Sequence, residues 1–384
     1  LATAGWLALG VLTAVAACSS DPKSDPASGG SGDPHRVVVT ITAAGGCVTD
    51  RESYAAGGLT FSITNKDATG VSEVELLSGE RIVGEKENLP PGFSGSFAVS
   101  AQPGEYSLYC PGATAARTPL QVTGTASSTV YTSTHALLVQ GTEDYAQYVN
   151  RQVGYLVTAV KPLSAALARG DLTAAQTAYA KARPFYERIE PVAESFTTGS
   201  TRLDPAIDAR EGDVPAARWT GFHRIEKGLF QAKSTAGLAK YGTALLANVQ
   251  QLQRLVRGLT YQPAELANGA VELLDEVSKT KIIGEEERYS HIDLLDFQAN
   301  VEGSEQAFAN VQPGLAMIDP ALAKTVTNAL NGVDTLLDKY RSASDPSGFV
   351  RYGVLTTSDK TALAHAVQAV AEPLSRVASK VVNA

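Results

Sequence analysis

The chain has 384 residues, 44% of them apolar, and a formal net charge of -8. That length exceeds what one core usually organises, so two domains are expected. The acidic balance, with a pI near 5.3, argues against an electrostatic nucleic-acid binder, whose phosphate contacts need a basic face; a cationic ligand fits better.

"GWLALGVLTAVAAC", residues 5–18, is an apolar run ending in small residues and Cys18. It is too short for a comfortable membrane span and reads as the core of a signal peptide. No Met or basic segment precedes it, so the sequence is expected to begin inside that leader. "VAAC" resembles a bacterial lipobox, in which the cysteine is lipidated and becomes the mature N-terminus; the alternative is a cleaved export signal without an anchor. Residues 19–35, "SSDPKSDPASGGSGDPH", then read as a flexible tether, because Ser, Gly, Pro and Asp bury too little surface to fold. Together these place the protein in the cell envelope or periplasm, anchored to the membrane by lipid at Cys18.

Residues 36–124 read as β. Short runs such as "RVVVTITAAG", "LTFSITNKD" and "GEYSLYCPG" are rich in Val, Ile, Phe, Tyr and Thr and are separated by turn residues, which suggests a small β-sandwich. Residues 125–134 form a linker. From there to residue 384 the composition shifts to Ala, Leu, Glu and Lys with helical spacing. One long helix and a second running to about Phe196, with Asp171 as its cap, precede a helix carrying "TGFHRIEKGLF" at Thr220 to Phe230. Further helical patterns cover about 235–257, 263–282, 291–311, 320–342 and 358–382. The expected architecture is multidomain β + α, a β-sandwich followed by an all-α helical bundle.

His223 and Glu226 stand three residues apart and share a helix face, as do Glu187 and Glu190 in "YERIEP". Carboxylates and imidazoles converging from several helices are how bundle metal sites are built. An H-x-x-E pair is by itself a weak signal, more often a surface or capping pair than a ligand set, but Phe222, Ile225, Leu229 and Phe230 interleave with this one, and a buried charge needs a partner or a metal. "RYSHIDLLDFQANVEGSEQAF" adds His291, Asp293, Asp296, Glu302 and Glu305, some of them solvent-facing or caps. "DPAIDAREGD" adds Asp204, Asp208, Glu211 and Asp213 in a loop, where a solvated acidic turn is the plainer reading. No H-E-x-x-H, G-x-S-x-G or P-loop is present, so no hydrolytic motif supports an enzyme.

Cys47 and Cys110 have two readings. Outside the membrane they form a disulfide, or they ligate a soft metal with Glu73, Glu75 or Glu105 adding oxygens. A type-1 copper site is not available, since it needs two His and usually a Met, and the β region has no internal His while the only Met is Met317.

"YERIEP", "IDAREGD", "TGFHRIEKGLF" and "YSHIDLLDFQANVEGSEQAF", in this order, resemble the imelysin-like domain of the EfeO family, exported components of a bacterial iron-uptake system. "ELLSGERIVGEKENLPPGFSGSF" and "QPGEYSLYC" are similar to that family's cupredoxin-like N-terminal domain, so the resemblance covers about residues 37–384. It implies a cupredoxin-like β-sandwich and an imelysin-like bundle. The implied protein binds iron, Fe(II) or Fe(III), and works with an iron permease of the inner membrane and an exported haem peroxidase. Carried over by motif, the metal ligands are His223, Glu226, Glu187, Glu190 and Asp208, with Asp293 added. A second site or a disulfide falls on Cys47 and Cys110, with Glu75 and Glu105 as helpers and copper or zinc as alternative metals. The stretch between Asp208 and His223 is shorter than in the long form of the family, which makes the reach of Asp208 a question of loop geometry.

The leading reading is therefore a lipid-anchored iron carrier that captures iron and passes it to a permease. The alternatives are an envelope metallopeptidase built on His223 and Glu226, despite the missing hydrolytic motif, and a metal-dependent module binding cell-wall polysaccharide. Because binding needs ionised carboxylates and a neutral imidazole, metal affinity is expected to fall below about pH 6.

Overall fold

Alternation of apolar and polar residues, as in Val37, Val39 and Ile41, builds the first strands with one buried face. The computed structural model describes residues 33–384 except 72, 80, 87–88, 111, 114–116, 126–132 and 199–200. Cys18, most of the tether and most of the linker lie outside the described residues.

Nine strands follow in order: β1 (Arg36–Thr42), β2 (Gly46–Thr49), β3 (Ser53–Ala55), β4 (Gly57–Asn65), β5 (Val74–Ser78), β6 (Arg81–Lys86), β7 (Ser94–Ala101), β8 (Gly104–Tyr109) and β9 (Arg117–Thr123). They form two sheets, ordered β2-β1-β4-β7 and β3-β9-β8-β5-β6. The pairs β1–β4 and β3–β9 are parallel, so the chain crosses between sheets and encloses one apolar core around Phe61, Phe97 and Leu108.

The helical part opens with α1 (Ser133–Arg169), whose Tyr145, Val149, Val153, Leu156, Val160, Leu163 and Leu167 recur at three- and four-residue steps and are all buried. It packs on α2 (Leu172–Glu187), and Asp171 caps α2 as its spacing predicts, with Oδ1 accepting the Ala174 N–H at 3.0 Å. The second helix does not run unbroken to Phe196. It stops at Arg188, Ile189 turns away with φ -135°, and α3 (Glu190–Glu194) restarts with Pro191 in its first turn, where a missing N–H costs nothing.

A two-stranded ribbon, β10 (Thr197–Thr198) and β11 (Thr201–Arg202), leads into α4 (Leu203–Ile207), α5 (Gly221–Glu226), α6 (Ala239–Leu255) and α7 (Pro263–Glu276). The helices α8 (Asp293–Ile318), α9 (Pro320–Leu337), α10 (Thr357–Leu374) and α11 (Val377–Val381) complete the chain. One apolar core runs through the helices and takes in Ala98 of β7. The two parts also meet through polar contacts: the Lys86 ammonium lies 2.8 Å from Asp275, Asn268 Nδ2 donates to the Ala98 carbonyl at 2.8 Å, and Ile82 N–H to the Ser195 carbonyl at 2.8 Å.

Candidate metal centre

Three chain segments converge inside the helical part: the end of α2, the corner between α4 and α5, and the loop from residue 282 into α8. Glycine makes the second of these possible. Gly221 has φ +82°, and a Cβ there would lie 2.0 Å from the Ile207 carbonyl oxygen. Only glycine lets the start of α5, carrying His223, lie against the end of α4, which Asp208 directly follows. Immediately after Glu226 the helix widens into a π-turn (Lys227–Gln231), and a second π-turn (Val277–Lys281) extends α7; such turns re-aim side chains within a helix.

The His223 ring is buried. Its Nε2 lies 3.3 Å from Glu286 Oε1 and 3.5 Å from Asp208 Oδ1, so the short loop does not keep Asp208 away. Its Nδ1 lies 3.3 Å from Glu226 Oε2, and Glu226 Oε1 in turn accepts the backbone N–H groups of Tyr289 and Ser290, both at 2.7 Å. Glu226 thus holds the far side of the ring, while Asp208, His223 and Glu286 each present a ligand atom within 4.8 Å of the others.

A second trio, Glu187, Glu286 and Asp296, meets the same distance criterion and shares Glu286 with the first. The guanidinium of Arg183, fully buried, sits among all of these carboxylates. It donates to Asp208 and Glu187, reaches Glu286 Oε1 at 3.0 Å and Asp296 Oδ2 at 3.0 Å, and lies 3.1 Å from Glu287. Lys281, also fully buried, lies 3.1 Å from Glu187 Oε2 and 3.5 Å from Glu286 Oε2, and 3.8 Å from Glu190. Arg210 reaches in from the edge to Glu286 at 2.7 Å and Glu276 at 2.9 Å.

Eight carboxyl groups are buried here, Glu187, Glu190, Asp208, Glu226, Glu286, Glu287, Asp293 and Asp296, against Arg183, Lys281 and His223. They outnumber these cations even with Arg210 added, so ionising all of them is costly without a further cation. Burial pushes Glu187 up to about 8 and Asp293 to about 7, and raises Glu190, Glu287 and Asp296. Asp208 and Glu286 go the other way. Burial opposes their charge, but Arg183 and His223 outweigh it at Asp208, and Lys281, Arg210 and His223 do so at Glu286. Burial also opposes a charged His223, yet Asp208, Glu226 and Glu286 raise its pKa well above the ordinary histidine range. These carboxylates favour the protonated ring in the ion-free protein, and a metal ion bound there would take the place of that proton.

Of the residues expected as ligands, His223 and Asp208 meet at one trio and Glu187 belongs to the other. Glu190 faces Lys281, and Asp293, buried, accepts the Glu287 N–H at 3.1 Å. His291 is exposed, Glu302 pairs with Arg188, Glu211 with Lys227 and Asp213 with Arg210. Sequence reasoning missed Arg183, Lys281, Glu286 and Glu287, and left Asp296 outside the ligand set. The available signals were Arg183 placed one turn before Glu187 among aromatic residues, and the "EEER" run abutting the "YSHID" motif.

In the β-sandwich, Cys47 of β2 and Cys110 after β8 form a disulfide, Cα–Cα 6.3 Å, that ties one sheet to the other. This corrects the soft-metal alternative, because bonded sulfurs offer no thiolate. Glu105 is exposed on β8 and joins no ligand group among the described residues, whereas Glu75 faces Glu85 across the β5–β6 pair and, with Glu73, forms a third trio within 4.8 Å.

The imelysin family (peptidase M75) matches residues 141–377. The chain is 39% identical over 350 residues to the iron uptake system component EfeO of Escherichia coli K12, covering 90% of this chain and 91% of that one, and equally to its counterpart in Shigella sonnei. The EfeO of Escherichia coli strain CFT073 is 40% identical over 341 residues, 86% and 89% of the two chains. Among solved structures, a protein described as an iron-regulated protein A precursor from Parabacteroides distasonis aligns with TM-score 0.51 at 15% identity, over 66% of this chain and 97% of that one, a likeness of fold.

Proposed function

The chain belongs to the imelysin family, and to the EfeO components of iron uptake systems within it; on that premise we propose that it captures iron between Asp208, His223 and Glu286 and delivers it to a membrane permease. The observation that carries this reading is His223 Nε2, buried and aimed at two carboxylates 3.3 and 3.5 Å away, with no hydrogen bond of good geometry among the described residues. A carboxylate on the other ring nitrogen, here Glu226, is the usual support of a metal-binding histidine. Carboxylate oxygens with one imidazole suit iron, and also manganese or zinc.

Burial favours binding over peptide hydrolysis. A hydrolytic metal needs an open position and substrate access, and the side chains of Asp208, His223 and Glu286 are at most 4% exposed. Residence in the cell envelope, tethering by lipid at Cys18 and cooperation with an exported haem peroxidase belong to the same reading. No helix among the described residues is long and apolar enough to cross a membrane.

The test is calorimetric titration of the ion-free chain with Fe(II), Fe(III), Cu(II) and Zn(II), beside a His223→Ala variant. Iron affinity should fall at least tenfold in the variant, about 1.4 kcal/mol. Equal affinities in a folded variant would remove His223 from the site.

A further inference from the structure

The two trios share Glu286, so together they have the layout of a two-ion site with a bridging carboxylate. At one of its two positions a permanently charged group touches every member. Arg183 Nη2 donates to Glu187 and lies 3.0 Å from both Glu286 Oε1 and Asp296 Oδ2, which places one nitrogen within reach of every member of the second trio. At the first position the guanidinium reaches both carboxylates, Nη1 at Asp208 and Nη2 at Glu286, but not the third member: His223 Nε2 faces those same two oxygens at 3.5 and 3.3 Å.

The guanidinium is fixed in place. Its side chain is fully buried, it lies over the Phe222 ring at 5.1 Å, and it is joined to Glu187 one helical turn away on α2. Arginine stays protonated at any physiological pH. Its withdrawal would leave Glu187, Asp208, Glu286 and Asp296 buried without their common counter-charge, which is costlier than keeping the group where it is.

We propose that Arg183 is a resident cation occupying the second position of this centre, so that the helical domain binds one ion, at Asp208, His223 and Glu286, rather than a bridged pair. The inference rests on the iron-binding reading above. Its consequence is chemical: a positive charge beside the ion weakens binding of the cargo, and the absence of a second iron prevents a bridged diferric cluster from which a carrier would release iron slowly. Arg183 acts here as a specificity residue that sets the number of ions.

The experiment loads the full chain, its His223→Ala, Arg183→Ala and Arg183→Lys variants with Fe(III). It counts the iron that depends on His223, and records Mössbauer and electron paramagnetic resonance spectra. The expected result is one His223-dependent ion in the unsubstituted chain, magnetically isolated. Arg183→Lys should likewise take one, and Arg183→Ala should take two, with the spectrum of a spin-coupled pair. A coupled pair in the unsubstituted chain would overturn the inference while leaving the iron-binding reading intact. So would a cooperatively melting Arg183→Ala that still takes one ion. If Arg183→Ala does not fold, the spectrum of the unsubstituted chain decides: an isolated ion supports the proposal and a coupled pair refutes it. No His223-dependent iron in any chain would overturn the iron-binding reading itself, and this inference with it.

Discussion

The carboxylates that approach one another in the β-sandwich, Glu73, Glu75 and Glu85, come from a single hairpin between residues 73 and 86, and strand register alone puts Glu75 opposite Glu85. Those around His223 come from α2, the α4–α5 corner, the loop after residue 282 and α8, and they bring Arg183 and Lys281 with them into a fully buried space. Specificity for an ion resides in the second kind of assembly. A hairpin can gather acids cheaply because neighbours on paired strands are close by construction. A buried centre assembled from distant segments must balance its charge internally before it can discriminate a guest ion. The two domains also differ in what holds them: a covalent tie between sheets in one, and in the other an apolar core threaded by salt bridges.

The largest effect that separates the two domains is on stability. Replacing Cys47 and Cys110 by Ser removes a cross-link spanning 63 residues, which the chain-entropy estimate values at about 4 kcal/mol. Denaturant unfolding should show that loss in the β-sandwich, while His223-dependent iron binding is unchanged; a parallel loss of iron binding would mean that the domains do not bind independently. The next effect sets one acidic trio against the other. Glu286→Ala removes a ligand and a partner of three cations, and should lower iron affinity about 100-fold or more, near 2.8 kcal/mol, whereas Glu75→Ala should leave the His223-dependent ion in place. Equilibrium dialysis of both variants reads this directly, and equal losses would erase the distinction drawn here.

Glu226→Ala should be milder than Glu286→Ala, about 10- to 100-fold, because Glu226 orients His223 without facing the ion. A loss as deep as that of Glu286→Ala would place Glu226 among the ligands. The gentlest change is pH. Asp208, Glu226 and Glu286 raise the His223 pKa well above its ordinary value against the opposing effect of burial, and Glu187 stands at about 8. Iron must therefore compete with a proton for the His223 ring, so affinity should fall as pH drops, starting from a higher pH than the sequence suggested. Titrations in buffers of different ionisation enthalpy should report net proton release, which a His223→Ala variant would reduce. The same enthalpy in every buffer would count against displacement of a proton from the ring.

Much of the fold was readable in advance because its signals are local. Strand alternation, the three- and four-residue spacing in α1 and the cap at Asp171 depend on neighbours along the chain, and all stand where the spacing puts them. The break at Arg188 was signalled by Pro191 but overlooked, since an apolar pattern continues across it. For the site, the motif around His223 lies on a helix that the structure brings to Asp208, with Glu187 close by on α2. It did not reveal that Glu226 supports the ring from behind.

What the amino-acid sequence determined by itself is which helices would present acids and an imidazole inward, since periodicity assigns faces within one element. The tertiary structure alone decided which of those faces meet. Pairing of Asp208 with His223 depends on Gly221 admitting the Ile207 carbonyl, and the arrival of Glu286 depends on a loop after a π-turn. The placement of Arg183 at the centre is likewise a matter of packing, because the energy of a buried charge is set by every group around it in space, and sequence distance carries no record of that sum.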